Sequence, residues 1–293
     1  MEKLDRLVWA AGISFISFGL RVGVRVSSAE LLEPVLAHAP TGWKSARSPV
    51  VERLYSYIAG STRLGANVRP LHLLYANTER LVRTGNPGEL LEVFEADLAS
   101  YVAQAARHWL FVHAGVVGWK GQAIVIPGRS FSGKTTIVKE FLRAGADYFS
   151  DEFAILDARG YVHPFPRPLS VREDRGQKPS QKRIGAKELG AKIGRGPLPI
   201  GLLLWTQYKP GAAWRPKILS PARGVLALLD NTLAARNEPR RTLVTLEAAI
   251  RRAQSLKSAR GEAKGVVESV LQYLGSSIAN RQRQGCAVSK EMT

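Results

Sequence analysis

Gly128, Arg129, Ser130, Phe131, Ser132, Gly133, Lys134 and Thr135 follow the spacing G-x-x-x-x-G-K-[ST], a Walker A phosphate loop. The glycines let the backbone curl so that several N–H groups converge on one anion. Lys134 supplies a point charge for β- and γ-phosphates, and Thr135 supplies a hydroxyl for Mg²⁺. With Thr136, the next residue, these positions are the candidate nucleotide-binding set. The chemistry they suit is binding, and transfer, of a nucleotide's terminal phosphate.

Such a loop works only if a strand feeds it and a helix leaves it. Gln122-Ala-Ile-Val-Ile126 is a short apolar run between Gly121 and Pro127 and reads as a buried strand. Thr135 to Ala144 has helical spacing, with Ile137, Val138, Phe141 and Leu142 on one face and Gly145 as C-cap. That order aims the positive end of a helix dipole at the phosphate.

The remaining chemistry needs a metal ligand, a base for the nucleophile and positive charge at the transition state. Asp151-Glu152 follows the loop helix directly. At a strand end facing the loop, one carboxylate would serve Mg²⁺ and the other the acceptor hydroxyl. His113 lies one strand away, where an imidazole could tune an aspartate base or hold the acceptor, although a lone strand histidine usually serves the core. Lys182, Arg183 and Arg215 are further sources of positive charge. His38, His72, His108 and His163 have no metal-ligand spacing.

The chain has 293 residues, 45% hydrophobic and 23% charged, the composition of an ordinary globular protein. One cysteine, Cys286, cannot form an internal disulfide, which suggests a reducing, cytoplasmic setting. The uncharged stretch Leu7 to Leu20 is too short to span a bilayer as a helix. From Ile16 to Val26 it alternates apolar and polar residues, so we expect one half-buried strand over 13–26. The formal charge of +18 is uneven: residues 1–150 carry 17 Lys and Arg against 12 Asp and Glu, whereas 151–293 carry 25 against 12. Without interleaved aromatics, zinc spacing or an RNA-binding signature, nucleic acid is disfavoured as the main ligand.

Residues 1–108 read as a separate α/β module. It would hold a helix opened by Ser28, strands within 72–82 and an amphipathic helix over 89–108. The second module, 109–275, would contain a hairpin of 110–117 with 122–126, the loop helix, strands near 148 and at 153–156, and a strand at 200–208. Helices would cover 221–236, 239–254 and 262–274. The basic stretch 172–196 reads either as a mobile functional loop or as a segment carrying a short helix near 185–193. Residues 276–293 read as a disordered basic tail. The fold class expected is α/β with a mixed sheet.

His113-Ala-Gly-Val-Val, a hairpin, Pro-Gly-x-Ser-x-Ser-Gly-Lys-Thr, a helix ending in Gly, and Ser150-Asp151-Glu152 before an apolar strand together resemble the HPr kinase/phosphorylase-like family. Those proteins are P-loop kinases that share the phosphoenolpyruvate carboxykinase-type fold. The likeness covers about 109–172 well, and 200–274 in element order. It implies that Gly128 to Thr135 hold the phosphates of ATP, with Thr135 also on Mg²⁺. It makes Asp151 the catalytic aspartate, Glu152 a metal-binding carboxylate and His113 the histidine beside that aspartate. It further implies a Ser or Thr acceptor on a small protein or ribosomal peptide, and homo-oligomers of no fixed number. Glu152 stands where the family more often has Asp, Phe131 is bulky for a phosphate loop, and the family's downstream signature is not recognisable in 172–196. Two other readings stay open: a small-molecule kinase of the same fold, and a nucleotide switch or nucleic-acid-associated ATPase. N-K-x-D, the guanine-reading motif, does not occur, which disfavours a GTPase.

Overall fold

The computed structural model describes residues 2–60, 70–129, 132–173 and 180–290. Ser130 and Phe131 of the phosphate loop, Lys178 and the side chain of Lys182 lie outside the described set, as do the side chains of 277–290. The protein is mixed α/β and divides into two units, Met1–Trp109 and Leu110–Thr293.

The first unit contains α1 (Glu2–Asp5), β1 (Ala11–Ser17), β2 (Leu20–Val26), α2 (Leu32–Ala37), β3 (Lys44–Ser45), β4 (Arg53–Ile58), β5 (His72–Ala76), β6 (Glu79–Thr84) and α3 (Pro87–Ala105). Its sheet order is β3-β1-β2-β4-β5-β6, with β2 and β4 parallel and the other pairs antiparallel. The single strand expected over 13–26 is a hairpin. Phe18 and Gly19, at φ 50° and 86°, make a two-residue turn, and Ser17 pairs with Leu20. Both turn residues are left-handed, the geometry that matches the twist of the flanking strands. The turn also resets the inward parity. Phe15 and Ser17 are buried before it and Leu20, Val22, Val24 and Val26 after it, while Ile16 is 40% exposed.

The second unit opens with β7 (Leu110–Trp119) and β8 (Gln122–Pro127), joined as the expected antiparallel hairpin. There follow α4 (Lys134–Arg143), β9 (Asp147–Ser150), β10 (Phe153–Leu156), β11 (Val162–His163) and a separate hairpin of β12 (Leu169–Glu173) and β13 (Ser180–Ile184). After β14 (Ile200–Tyr208) and β15 (Lys217–Ile218) come α5 (Pro221–Leu229), α6 (Pro239–Ile250), β16 (Gln254–Arg260) and α7 (Ala263–Lys290). The hairpin replaces much of the loop expected from 172 onward, and α7 runs past residue 276, where a disordered tail was expected.

The main sheet runs β11-β10-β7-β8-β14-β16-β15, with β9 also on β7. β8, β14 and β16 are mutually parallel, and β9, antiparallel to β7, points the same way. Helices cover both faces, so β8 is buried on both sides and its sequence is continuously apolar from Ala123 onward. Ile124 and Ile126 pack under α4 and α7 with Val138, Phe141 and Val267, while Ala123 and Val125 pack under α5 and α6 with Leu228, Leu246 and Ile250. Full burial of each large aliphatic side chain contributes about 1.5–3 kcal/mol before entropy is counted. At Gly115 of β7 a Cβ would come 2.6 Å from Val138 Cγ2, so the absent side chain lets the loop helix lie close against the sheet.

Candidate active site

Four strands that point one way end together. Pro127 of β8 leads into the phosphate loop, Ser150 of β9 into Asp151-Glu152, and Tyr208 and Arg260 close β14 and β16. The carboxyl ends of parallel strands are where open α/β sheets bind ligands, because the helices that follow begin there. β7 starts at the same end, and the His113 carbonyl accepts from the Gly128 N–H at 3.2 Å.

The loop reaches α4 through Gly133, whose φ of 85° only glycine adopts without strain. The first N–H groups of α4 have no partner within the helix, and the dipole adds positive potential. Lys134 Nζ lies 2.6 Å from the Gly128 carbonyl and 2.7 Å from that of Arg129, folded over the loop. Burial lowers the Lys134 pKa, and the carboxylates of Asp151 and Glu152 oppose that. Ser132 Oγ is buried with no hydrogen-bond partner among the described residues. A buried hydroxyl without a hydrogen bond costs about 1–3 kcal/mol, and an anion in the loop would satisfy it.

The acidic pair meets this loop through Asp151. Its Oδ2 lies 3.4 Å from Thr135 Oγ1, and its Oδ1 lies 3.2 Å from the Tyr148 hydroxyl, whose one proton is shared with the Arg167 carbonyl at 2.7 Å. Burial first, and Asp151 second, raise the Tyr148 pKa, so this phenol stays protonated and orients the carboxylate. Glu152 turns to Arg167, with Oε2 2.6 Å from Nη1. The oxygen beside the Thr135 hydroxyl therefore belongs to Asp151 rather than to Glu152. One hydroxyl and one carboxylate are hard donors of the number Mg²⁺ uses when waters and phosphate oxygens complete its shell, so these residues fit that ion.

His113 pairs with Phe153 across β7 and β10, and the two rings lie 4.7 Å apart. Burial, and next the Lys134 charge, lower its pKa from the ordinary 6.5, while a hydrogen bond to the Glu152 backbone opposes them. The imidazole is thus held neutral. Its contribution to stability is complete above the unfolded value of 6.5 and is lost as pH falls toward the lowered folded value. His113→Gln should flatten the loss of stability on acidification. Urea midpoints at pH 8 and pH 5 check this, and equal pH slopes in the two proteins would contradict it.

Three residues here were not singled out from the sequence. Tyr148 orients Asp151, Arg167 binds Glu152, and Arg260 is 1% exposed with Nη2 2.8 Å from the Gly133 carbonyl. A charged residue inside the Pro-rich 162–169 stretch was the available signal for Arg167; Tyr148 and Arg260 carried none. Among the residues expected to add positive charge, Arg183 lies exposed on β13, and the Arg215 N–H donates to Ser258 Oγ at the edge strands. No helix among the described residues is long and apolar enough to cross a membrane. No protein-family model matches this chain, and no curated protein sequence matches it.

Proposed function

We propose that this chain is an ATP-dependent phosphotransferase of the HPr-kinase-like type, acting on a Ser or Thr hydroxyl of a small protein or peptide. The observation that carries the proposal is Asp151 Oδ2 at 3.4 Å from Thr135 Oγ1, a carboxylate at the mouth of a phosphate loop. The γ-phosphate would lie between the α4 N-terminus and Asp151. Mg²⁺, held through Thr135 and Asp151, would neutralise charge on the phosphate oxygens.

Asp151 takes the proton of the acceptor hydroxyl, whose oxygen forms a bond to the γ-phosphorus as the bond to the bridging oxygen of ADP breaks. Lys134 leaves the loop carbonyls to bind phosphate oxygens. Neutral His113 keeps a second cation away from Lys134 and lines the acceptor side. Tyr148 keeps the Asp151 carboxylate aimed, and Arg167 holds Glu152. In this scheme residues 1–108 help choose the acceptor.

Lys134→Ala should weaken Mg·ATP binding by at least about ten-fold, the loss of a charge-assisted contact, and impair transfer with it. Calorimetric titration of the full chain checks this. Wild-type affinity in the variant would remove the loop from the nucleotide site.

A further inference from the structure

At the opposite, amino ends of β8 and β14 lies a cavity of about 560 Å³. That is within the range of sites for small molecules. β8 separates it from the phosphate loop by six residues, or about 20 Å of strand. Three guanidinium groups line it: Arg159, Arg251 and Arg252. Arg251 and Arg252 follow the last turn of α6, where cations by themselves offset the negative end of the helix dipole. Arg159 has no such role. It arrives from the turn after β10, and its nearest carboxylate, Asp157, is 3.7 Å away.

Asp157 is already engaged. Its Oδ2 lies 3.1 Å from His163 Nε2, and its Oδ1 accepts from the Arg159 and Tyr161 N–H groups. Among the described residues neither Arg251 nor Arg252 has an ion-pair partner, and no carboxylate lines the cavity. Arg159 keeps its 3.7 Å pair with Asp157, and the three guanidiniums around one concavity still give it a positive potential that favours an anion.

The positions are built. Gly160, at φ 79°, has no room for a Cβ against the Ala249 backbone, so the turn carrying Arg159 packs directly on α6. Gly201 likewise leaves no room for a Cβ beside the Gln122 side chain, which seats that amide at the cavity wall. Between the arginines the lining is apolar or aromatic, with buried Ile200 and the ring of Tyr161. Guanidinium forks match phosphate oxygens in pairs, and an apolar floor suits a flat or hydrocarbon portion.

We infer that this cavity is a second anion site, which takes a small phosphorylated molecule carrying a flat or apolar group. It is separate from the phosphate loop and does not depend on nucleotide binding there. A nucleic acid would call for an extended basic stripe instead of a bounded cavity.

The test is titration of the full chain with phenyl phosphate, beside inorganic phosphate and a short single-stranded oligonucleotide. The proteins compared are wild type, Lys134→Ala and the double variant Arg251→Ala/Arg252→Ala. Both arginines are exposed, and an unchanged thermal midpoint verifies folding. Phenyl phosphate should bind wild type and Lys134→Ala alike, and at least about ten-fold more weakly to the double variant. In Lys134→Ala, where the loop's own anion binding is weakened, inorganic phosphate should bind more weakly than phenyl phosphate. Undiminished binding in the double variant, or its loss in Lys134→Ala, would overturn the assignment. Equal affinity for the two phosphates would overturn the apolar part of the ligand, and preference for the oligonucleotide would overturn the class.

Discussion

Asp151→Asn should keep ATP in the loop, with Mg²⁺ held more weakly, and slow phosphoryl transfer by about 10³-fold, the middle of the range for loss of a general base. The amide is the same size, so the contacts of position 151 to the Tyr148 and Thr135 hydroxyls can be kept, and the loop from Gly128 to Thr135 is untouched. Asparagine cannot accept a proton at neutral pH. Single-turnover transfer measured beside nucleotide affinity separates the two effects. A variant that transfers phosphate at the wild-type rate would refute the base, and one that no longer binds nucleotide would show that Asp151 builds the loop instead.

The second large effect is expected at Arg260. Its guanidinium is buried, with Nη2 2.8 Å from the Gly133 carbonyl and Nη1 3.2 Å from that of Gly261. Nε has no partner. Burial lowers its pKa, and Glu262 and Tyr208 oppose that. Taking a guanidinium out of water without an ion pair costs several kcal/mol, so stability alone does not explain its presence. A Cβ at position 133 would strike its Nη2, so cation and loop glycine are fitted to one another. Arg260→Met should fold with an equal or higher thermal midpoint, because it removes a buried charge. Transfer should fall by about 10²-fold, as for loss of a preorganised electrostatic donor. Wild-type turnover in Arg260→Met would contradict this, and so would a lowered midpoint with unchanged turnover, which would make Arg260 a structural cation.

The difference between what the sequence disclosed and what it hid has a physical cause. The order of strand, glycine loop and helix over 122–143 was legible because its parts are consecutive, and each has its own local signal. The acidic pair was legible for a similar reason, following one helix and one short strand. β16 was not. Gln254-Ser-Leu-Lys-Ser-Ala-Arg260 has no apolar run, and it is a strand because β14 lies beside it in parallel and β15 on its other side. Since β16 delivers Arg260, missing the strand meant missing the cation. The β1–β2 hairpin was hidden by its own regularity, since a two-residue turn keeps apolar residues at even positions while the buried face changes from odd to even. Arg167 meets Glu152 only through tertiary packing, whereas Tyr148 is three residues from Asp151 and nothing in its apolar strand marks it out. The residues alone left the two roles of the doublet open and the resemblance gave the metal to Glu152, but Arg167, 15 residues later, pairs with Glu152 and leaves Asp151 facing Thr135.

The most direct measurement is the fate of the terminal phosphate. Wild-type protein and Asp151→Asn would be incubated with γ-labelled ATP, Mg²⁺ and candidate small proteins and peptides, and the products read by mass spectrometry. A phosphate ester on a Ser or Thr hydroxyl of one acceptor, formed by wild type and not by Asp151→Asn, is the predicted result. Nucleotide bound and hydrolysed with label only in free phosphate, and faster when DNA or RNA is added, would contradict it.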